Sequence, residues 1–319
     1  MARIKAVCIS DKKGQPKTVV ERIELKADYG IVGDAHAGVD THRQVSLLDE
    51  AGIDIMRRKG YDAVAGDFGE NIVTEQLPLG ELGMGSILQV GEQVQLEISQ
   101  IGKACHTPCV IGRRMGQCIM PTEGLFAVVL QAGIVQAGDE IRILQKVSRS
   151  TIQAAIITVS DRCSRGQTQD TSGPLLAQRL RENLQTHIAV QLIVPDEKEI
   201  ITERLKQLCE PDRRIDLVLT TGGTGFAPRD VTPEATVSVI DRPAPGIAET
   251  IRAASLAQTP RAMLSRAAAG IRCRTLIINL PGSEKAVRQS LEVILPVLAH
   301  AVELLRGEVT DCGRNVPTT

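Results

Sequence analysis

The chain has 319 residues, 43% of them hydrophobic and 24% charged, with a formal net charge of −1. That is an ordinary globular profile at a length that suggests two domains. A near-neutral balance with no basic run gives no footing for nucleic acid or an anionic membrane surface, and an aromatic content of 2% without Trp removes the usual stacking platforms for single strands.

Residues 1–147 read as short strands separated by glycine-rich turns. In chain order the strands are "RIKAVCIS", "VVERIEL", "RQVSLLD", "SILQV", "QVQLEIS" and "DEIRIL", short and rich in Val and Ile. The gaps "YGIVGDAHAG", "AGDFGENI", "LGELGMGS" and "QAGIVQAGD" carry the turn signals. One helical segment stands out, "DEAGIDIMRRKG". This profile predicts a mostly-β, barrel-like domain.

After a short polar linker, "LQKVSRSTIQ", the rhythm changes. "TIQAAIITVS" is a continuous apolar run, as a strand buried on both faces requires. There follow a helix "SGPLLAQRLREN" with Ser172 as its cap, a strand "IAVQLIV", a helix "EKEIITERLKQLCE" and a strand "IDLVLTT". "PGIAETIRAASLAQ" predicts a helix, "CRTLIINL" a strand, and "SEKAVRQSLEVILPVLAHAVELLRG" a long final helix whose apolar stripe (Val287, Leu291, Ile294, Leu298) is core packing. Strands alternating with helices over 152–312 predict an α/β three-layer domain with a mostly parallel sheet.

Ligands of such sheets bind beyond the carboxyl ends of the strands. There the sequence places "LTTGGTGFAPRDVTPEAT", residues 219–236. Gly222, Gly223 and Gly225 permit backbone angles closed to other residues, and successive N–H groups of such a loop form an anion nest. Thr220, Thr221 and Thr224 add hydroxyls, and Thr232 with Pro233 opens a helix. The loop lacks the Gly-Lys-Ser/Thr of a Walker A motif and the third glycine of a dinucleotide fingerprint, so a phosphate cradle and a tight structural turn both remain open. Asp230 is either a helix cap or a carboxylate that shares Mg²⁺ with a phosphate. Other strand-end groups gather at the same edge of the sheet: Ser160 and Asp161, Asp196 and Glu197, and Pro281, Gly282 and Ser283, the last three a second candidate anion site.

Taken together, "ITVSDRCSRG", "DTSGP", "VPDE", "LTTGGTGFAPRDVTPEAT", "MLSRAAAGIR" and "LIINLPGS" resemble the molybdopterin adenylyltransferase family, the MogA/MoaB-like fold also found as the G domain of gephyrin. The resemblance implies transfer of AMP from ATP to the terminal phosphate of molybdopterin, with Mg²⁺ and release of pyrophosphate. It implies Asp196 and Asp230 as the functional acidic pair and metal ligands. It implies the Thr220–Gly225 loop as a holder of nucleotide phosphates, and Ser172, Ser265 and Ser283 as contacts to pterin or nucleotide. Members are commonly trimers, so a homotrimer through this domain is expected, with a molybdate-insertion protein as the candidate recipient of the product. The same residues admit a non-catalytic molybdopterin carrier.

The first half is similar to a MOSC domain, through "GIVGDAHAG", "HRQVSLLD", "GDFGENIVTE", "LGMGSILQVG" and the long string from "IGKACHTPCVIGRRMGQC" to "AGDEI". That resemblance implies binding of molybdenum cofactor or carriage of sulfur through a cysteine. Cys105, Cys109 and Cys118 cluster, and the "PC" pair favours Cys109. Lys103, Arg113 and Arg114 would favour its thiolate. A zinc site of Cys105, His106, Cys109 and Cys118 has unusual spacing and no second cysteine pair to support it. His36 and Arg43 are candidate cofactor contacts, with a turn-stabilising role for His36 left open. Lys12, Lys13 and Lys17 suggest a small solvated cluster. The N-terminus lacks an apolar core of signal-peptide length and no apolar run reaches membrane-spanning length. A cytoplasmic location is therefore expected, with the eight cysteines as free thiols.

Overall fold

The computed structural model describes residues 1–103, 113 and 118–307. Cys105, His106, Cys109, Arg114 and Cys312 lie outside the described residues, and so does the sulfur-carrying role expected of Cys109. The chain divides into two compact units, Met1–Ser150 and Thr151–Thr319.

The first unit is β-rich. Its elements are β1 (Arg3–Ile9), β2 (Thr18–Val20), β3 (Arg22–Lys26), β4 (Gly30–Ile31), β5 (Val45–Asp49), α1 (Glu50–Arg58), β6 (Ile72–Glu75), β7 (Ile87–Val90), β8 (Val94–Ile101), α2 (Met120–Glu123), β9 (Leu125–Gln131), β10 (Gly133–Gln136) and β11 (Ile141–Gln145). Eight of these strands form a mixed sheet in the order β11-β7-β8-β9-β5-β6-β1-β2, and β10-β3-β4 form a second sheet. Alternation explains the two cores. Val45 and Leu47 join one cluster with Leu96 and Ile98, while the intervening register turns Leu48 onto Ile53 and Met56 of α1. The Asp49 side chain caps α1 by accepting from the Ala51 N–H.

Three differences from the expected strands have local causes. The "VVERIEL" strand is two, β2 and β3, because the chain leaves one sheet for the other at Glu21. The gap "QAGIVQAGD" contains β10, paired antiparallel with β3. The apolar run of β9, unassigned from the sequence, is an inner strand between β8 and β5.

The second unit contains β12 (Ile152–Val159), α3 (Asp161–Ser164), α4 (Ser172–Asn183), β13 (Thr186–Val194), α5 (Lys198–Leu208), β14 (Leu217–Thr221), α6 (Thr232–Val237), β15 (Arg242–Pro243), α7 (Pro245–Leu256), β16 (Ala269–Arg272), β17 (Thr275–Leu280) and α8 (Glu284–Arg306). The sheet order is β13-β12-β14-β17-β16-β15. The first four strands run parallel, β16 runs against them, and β15 pairs antiparallel with β16. The sheet is thus mixed and mostly parallel, with an antiparallel edge the sequence did not announce. Every residue of β12, β14 and β17 is buried, which is why these strands read as unbroken apolar runs.

Alternate residues of each inner strand feed opposite cores. Ala154, Ile156, Leu217 and Leu219 pack against α4, α7 and α8 through Leu176, Ile251, Leu291 and Leu298. Ala155, Ile157 and Val218 pack against α5 and α6 through Ile201, Leu205 and Ala235. Helices on both faces make the three layers.

At the amino ends of the strands an ion pair pins the last helix to the sheet. Arg306 donates Nε to Asp216 Oδ1 at 2.9 Å and Nη2 to Asp216 Oδ2 at 2.6 Å, and Nη2 also reaches the Thr151 carbonyl at 3.0 Å. The two side chains are only 13% and 12% exposed. Arg306→Ala leaves the Asp216 carboxylate largely buried without its cation, so the second unit should lose about 3 kcal/mol, read as a lower urea midpoint with α-helical signal intact in native buffer.

Candidate functional site

The carboxyl ends of β12, β13, β14 and β17 deliver four loops to one edge of the second unit. Their packing depends on Gly222. Its φ is +102°, a left-handed conformation that side-chain-bearing residues rarely adopt. A Cβ there would run into the Val159 carbonyl oxygen, and on the other flank a Cβ on Gly282 would lie 3.2 Å from Gly222 Cα. The Gly222 N–H donates to the Leu280 carbonyl at 3.1 Å. Three strand ends therefore meet across one glycine.

The expected acidic pair converges on the next two glycines. A Cβ on Gly223 would lie 3.1 Å from Asp196 Oδ1 and against Thr232 Oγ1, and a Cβ on Gly225 would lie 2.9 Å from Asp230 Oδ2. Each carboxylate is oriented by one main-chain donor. The Asp161 N–H reaches Asp196 Oδ2 at 2.7 Å, and the Ala227 N–H reaches Asp230 Oδ2 at 2.8 Å. Burial, together with repulsion from Asp161 and Asp230, holds the Asp196 carboxyl above the usual carboxylate range, partly offset by the Asp161 N–H and by Arg229. The charge of Asp161 itself is favoured by the Arg229 guanidinium, which lowers its pKa.

Hard carboxylate oxygens facing a side-chain-free cradle suit Mg²⁺, which ordinarily takes one or two protein carboxylates and fills its shell with phosphate and water. Among the described residues, no group of three or more His, Cys, Asp and Glu is placed to hold a metal ion.

Several expected ligand contacts serve the scaffold instead. Thr220 and Thr221 are 0% and 1% exposed. Thr220 Oγ1 accepts from Asn279 Nδ2 at 2.9 Å, and Thr221 Oγ1 donates to the Pro281 carbonyl at 2.7 Å. Both side chains are buried, on opposite faces of the sheet, because the strand continues to its last residue. Thr232 is the first residue of α6, not its cap. Its hydroxyl donates to the Gly222 carbonyl at 2.9 Å and fixes the glycine bend. Ser172 is likewise inside α4. The cap is made by Asp170, whose Oδ1 accepts from the Ser172 and Gly173 N–H groups at 3.1 and 3.0 Å, while Ser172 Oγ donates to the Gly282 carbonyl at 2.7 Å. Ser160 caps α3 through the Cys163 N–H. Thr224 is buried and takes the Arg266 N–H on its carbonyl. Pro281 and Gly282 supply the carbonyls just named, while Ser283 stands exposed at the start of α8. Ser265 precedes Arg266 and accepts weakly, at 3.4 Å, from the Ala267 N–H.

Two arginines organise the loop, and neither was singled out from the sequence. Arg266 donates Nε to the Gly225 carbonyl at 2.7 Å, Nη2 to the Asp230 carbonyl and Nη1 to Glu234. It ties both arms of the bend to the start of α6. Arg229 grips Asp161 through Nε at 3.0 Å and Nη2 at 2.8 Å. The only signal for either was its adjacency to a motif residue, Ser265 or Asp230.

The first unit holds a different cluster. Lys17 is not part of a solvated group with Lys12 and Lys13. Its side chain is 1% exposed and its ammonium is paired with Asp34. Asp34 also accepts from the Ser10 and His36 N–H groups and from Asn71 Nδ2. His36 Nδ1 lies 3.3 Å from Asp34 Oδ1 and 3.4 Å from Lys17 Nζ, so His36 is held by this network with its ring 31% exposed. Arg43 donates Nε to Gln100 Oε1 at 2.8 Å and lies over the Phe126 ring, 5.9 Å from its centroid.

Sequence comparison defines the class. The profile of the probable molybdopterin binding domain matches residues 155–300, and that of the MOSC domain matches residues 33–142. Molybdopterin adenylyltransferase of Helicobacter pylori J99 is 43% identical over 158 residues, covering 49% of this chain and 89% of that protein. The molybdenum cofactor synthesis protein cinnamon of Drosophila melanogaster is 44% identical over 160 residues, half of this chain but 26% of that protein. The crystal structure of the molybdopterin biosynthesis enzyme MoaB from Thermus thermophilus is 47% identical, covers 49% of this chain and 97% of its own, and superposes with a TM-score of 0.46. Through its second unit the chain belongs to the molybdopterin adenylyltransferase family.

The first unit holds a second buried carboxylate, to which no cation is bonded among the described residues. Glu70 is 0% exposed and its oxygens accept from the Gly66 and Phe68 N–H groups at 2.6 and 3.1 Å. Burial raises its pKa to about 7 from 4.5. Because the folded state holds this proton more tightly than the unfolded chain, the first unit should lose stability as pH rises from about 4.5 to about 7, by up to about 3 kcal/mol. Urea unfolding at pH 5 and pH 7 reads the slope, and Glu70→Gln should flatten it.

Proposed function

We propose that the second unit transfers the adenylyl group of ATP to the terminal phosphate of molybdopterin, releasing pyrophosphate. The observation that carries this reading is the convergence of Asp196 and Asp230 on Gly223 and Gly225. It sets two carboxylates against a main-chain bend that carries no side chains of its own at Gly223 and Gly225. Family membership supplies the substrate class.

In this reading the glycine bend binds the polyphosphate through main-chain N–H groups. Asp196 and Asp230 would hold Mg²⁺, which when bound neutralises phosphate charge and lets the anionic acceptor approach. The molybdopterin phosphate is itself the nucleophile, attacking the α-phosphorus in line while pyrophosphate leaves, so no protein nucleophile is required. The exposed Ser283 at the start of α8 offers an N–H-rich terminus for a second phosphate. Arg266 keeps the bend in register between turnovers, so the chain reorganises little as charge develops.

The first unit, in the same proposal, binds the molybdenum cofactor or its precursor near His36 and Arg43, with Cys109 as the sulfur carrier. Joining both activities in one chain raises the local concentration of a scarce intermediate. The working unit would be a cytoplasmic homotrimer assembled through the second unit, passing product to a molybdate-insertion protein. No helix among the described residues is long and apolar enough to cross a membrane.

Pyrophosphate release from ATP, Mg²⁺ and purified molybdopterin tests the reading. Asp196→Asn and Asp230→Asn should each lower kcat about 100-fold with circular dichroism unchanged. Wild-type rates in both variants would refute the assignment, and binding without turnover in the parent chain would make it a carrier.

The backbone requirement gives an independent check. Gly225 has no positive-φ constraint, yet a Cβ there crowds Asp230 Oδ2. Gly225→Ala should therefore weaken Mg·ATP binding about tenfold by calorimetry while the melting temperature stays nearly fixed. Gly222→Ala, blocked by the Val159 carbonyl, should lower the melting temperature markedly.

A further inference from the structure

Asp161 lies beside the acidic pair, and its carboxylate is fully engaged by the protein. Oδ1 accepts from the Asp196 N–H at 3.2 Å and from Arg229 Nη2 at 2.8 Å, and Oδ2 accepts from Arg229 Nε at 3.0 Å. In return the Asp161 N–H donates to Asp196 Oδ2 at 2.7 Å. The two aspartates thus exchange main-chain-to-carboxylate bonds, one at the end of β12 and the other just past β13. Arg229 comes from the segment between the glycine bend and α6, next to Asp230. One guanidinium therefore joins the loops of three strands.

We propose that Asp161 and Arg229 are positioning residues: together they form a tie that fixes the Asp196 carboxylate toward Gly223, and neither contacts substrate. The proposal rests on the reading of Asp196 as a functional carboxylate. Reciprocal bonding restricts Asp196 to one orientation, with Oδ2 turned to the Asp161 amide and Oδ1 left facing the glycine cradle. Without Arg229, the Asp161 carboxylate would keep one amide and the exposed Arg165 guanidinium, whose Nη2 stands 3.7 Å from Oδ1 and makes no fork, so its plane would no longer be fixed. Asp196 would lose its fixed neighbour in turn. An isolated exposed ion pair would do little, and Arg229 is 54% exposed. The fork geometry is what distinguishes this one: two parallel N–H···O bonds fix a plane, as a lysine ammonium cannot. Groups that orient a metal-binding carboxylate commonly matter about 10- to 100-fold.

The test uses the full chain with Arg229→Gln, Arg229→Lys, Asp161→Asn and the Asp161→Asn/Arg229→Gln double variant. Arg229→Gln and Asp161→Asn should each lower kcat about tenfold and raise the Mg²⁺ concentration for half-maximal pyrophosphate release, with KM for molybdopterin unchanged. The double variant should be no worse than the poorer single variant, and Arg229→Lys should recover only part of the loss. Mn²⁺ binding in the presence of ATP alone, followed by electron paramagnetic resonance, should weaken in the same order. A raised KM for ATP or molybdopterin with kcat intact would make Arg229 a substrate contact and overturn the proposal, as would losses that multiply in the double variant. Independently of turnover, selective ¹⁵N-aspartate labelling of the substrate-free chain reads the tie itself. The Asp196 amide resonance should move in Arg229→Gln while that of Asp216 stays in place, and an unmoved Asp196 resonance would refute the tie. If the parent chain releases no pyrophosphate, the catalytic reading fails while these resonances still decide the positioning claim.

Discussion

The second unit depends on one close approach: Val159, Gly222 and Leu280 share a space that a single methyl group would fill. Parallel strands end side by side, but side chains normally hold their loops apart. Gly222 lets the loop after β14 fold flat between its two neighbours, with its amide bonded to the Leu280 carbonyl. The Thr232 hydroxyl then closes the bend on the Gly222 carbonyl, and Arg266 fastens its far arm. This stacking brings the loops of the acidic residues together, and main-chain amides then orient each carboxylate.

That logic explains which parts of the site were legible in the sequence. Gly222, Gly223 and Gly225 were visible because dense glycine has few other uses. Asp196 was visible because it follows a strand-like run closely, and Asp230 because it follows the glycine-rich loop. Thr220 and Thr221 misled because residue type was allowed to outweigh position. They still belong to β14, so one side chain bonds Asn279 and the other bonds the Pro281 carbonyl. Ser172 misled in a similar way: the cap lies two residues earlier, at Asp170, which bonds two amides at once. Arg229 and Arg266 could not be read at all. A long side chain reaches partners set by tertiary placement, and Arg266 meets groups 32 to 41 residues away in sequence.

The fold divides the same way. β12, β14 and β17 were plain because burial on both faces leaves an unbroken apolar run. α4 and α8 were plain because each keeps a helical apolar stripe. β15 and β16 have no signature in the sequence: they are short, two and four residues long, with too few positions for a pattern to register. In the first unit β10 was taken for a gap, since "QAGIVQAGD" carries turn glycines at both ends and its pairing with β3 spans over a hundred residues.

The first unit shows how burial alone does not decide a carboxylate's state. Asp34 and Glu70 are both shielded from water and both accept main-chain amides. Asp34 also has the Lys17 ammonium and the His36 ring beside it, and its pKa falls well below the usual range despite desolvation. Glu70 has amides only, and desolvation wins. Desolvation in turn lowers the pKa of Lys17, with the Asp34 contact opposing it. Lys17 and Asp34 thus each offset part of the other's desolvation, and the His36 ring beside this buried pair is itself partly exposed. Asp196 is intermediate: half-buried, crowded by Asp161 and Asp230, and relieved only in part, by the Asp161 N–H and at longer range by Arg229. Desolvation and like charge together outweigh that relief, so its carboxyl stays above the usual range, as Glu70 does and Asp34 does not.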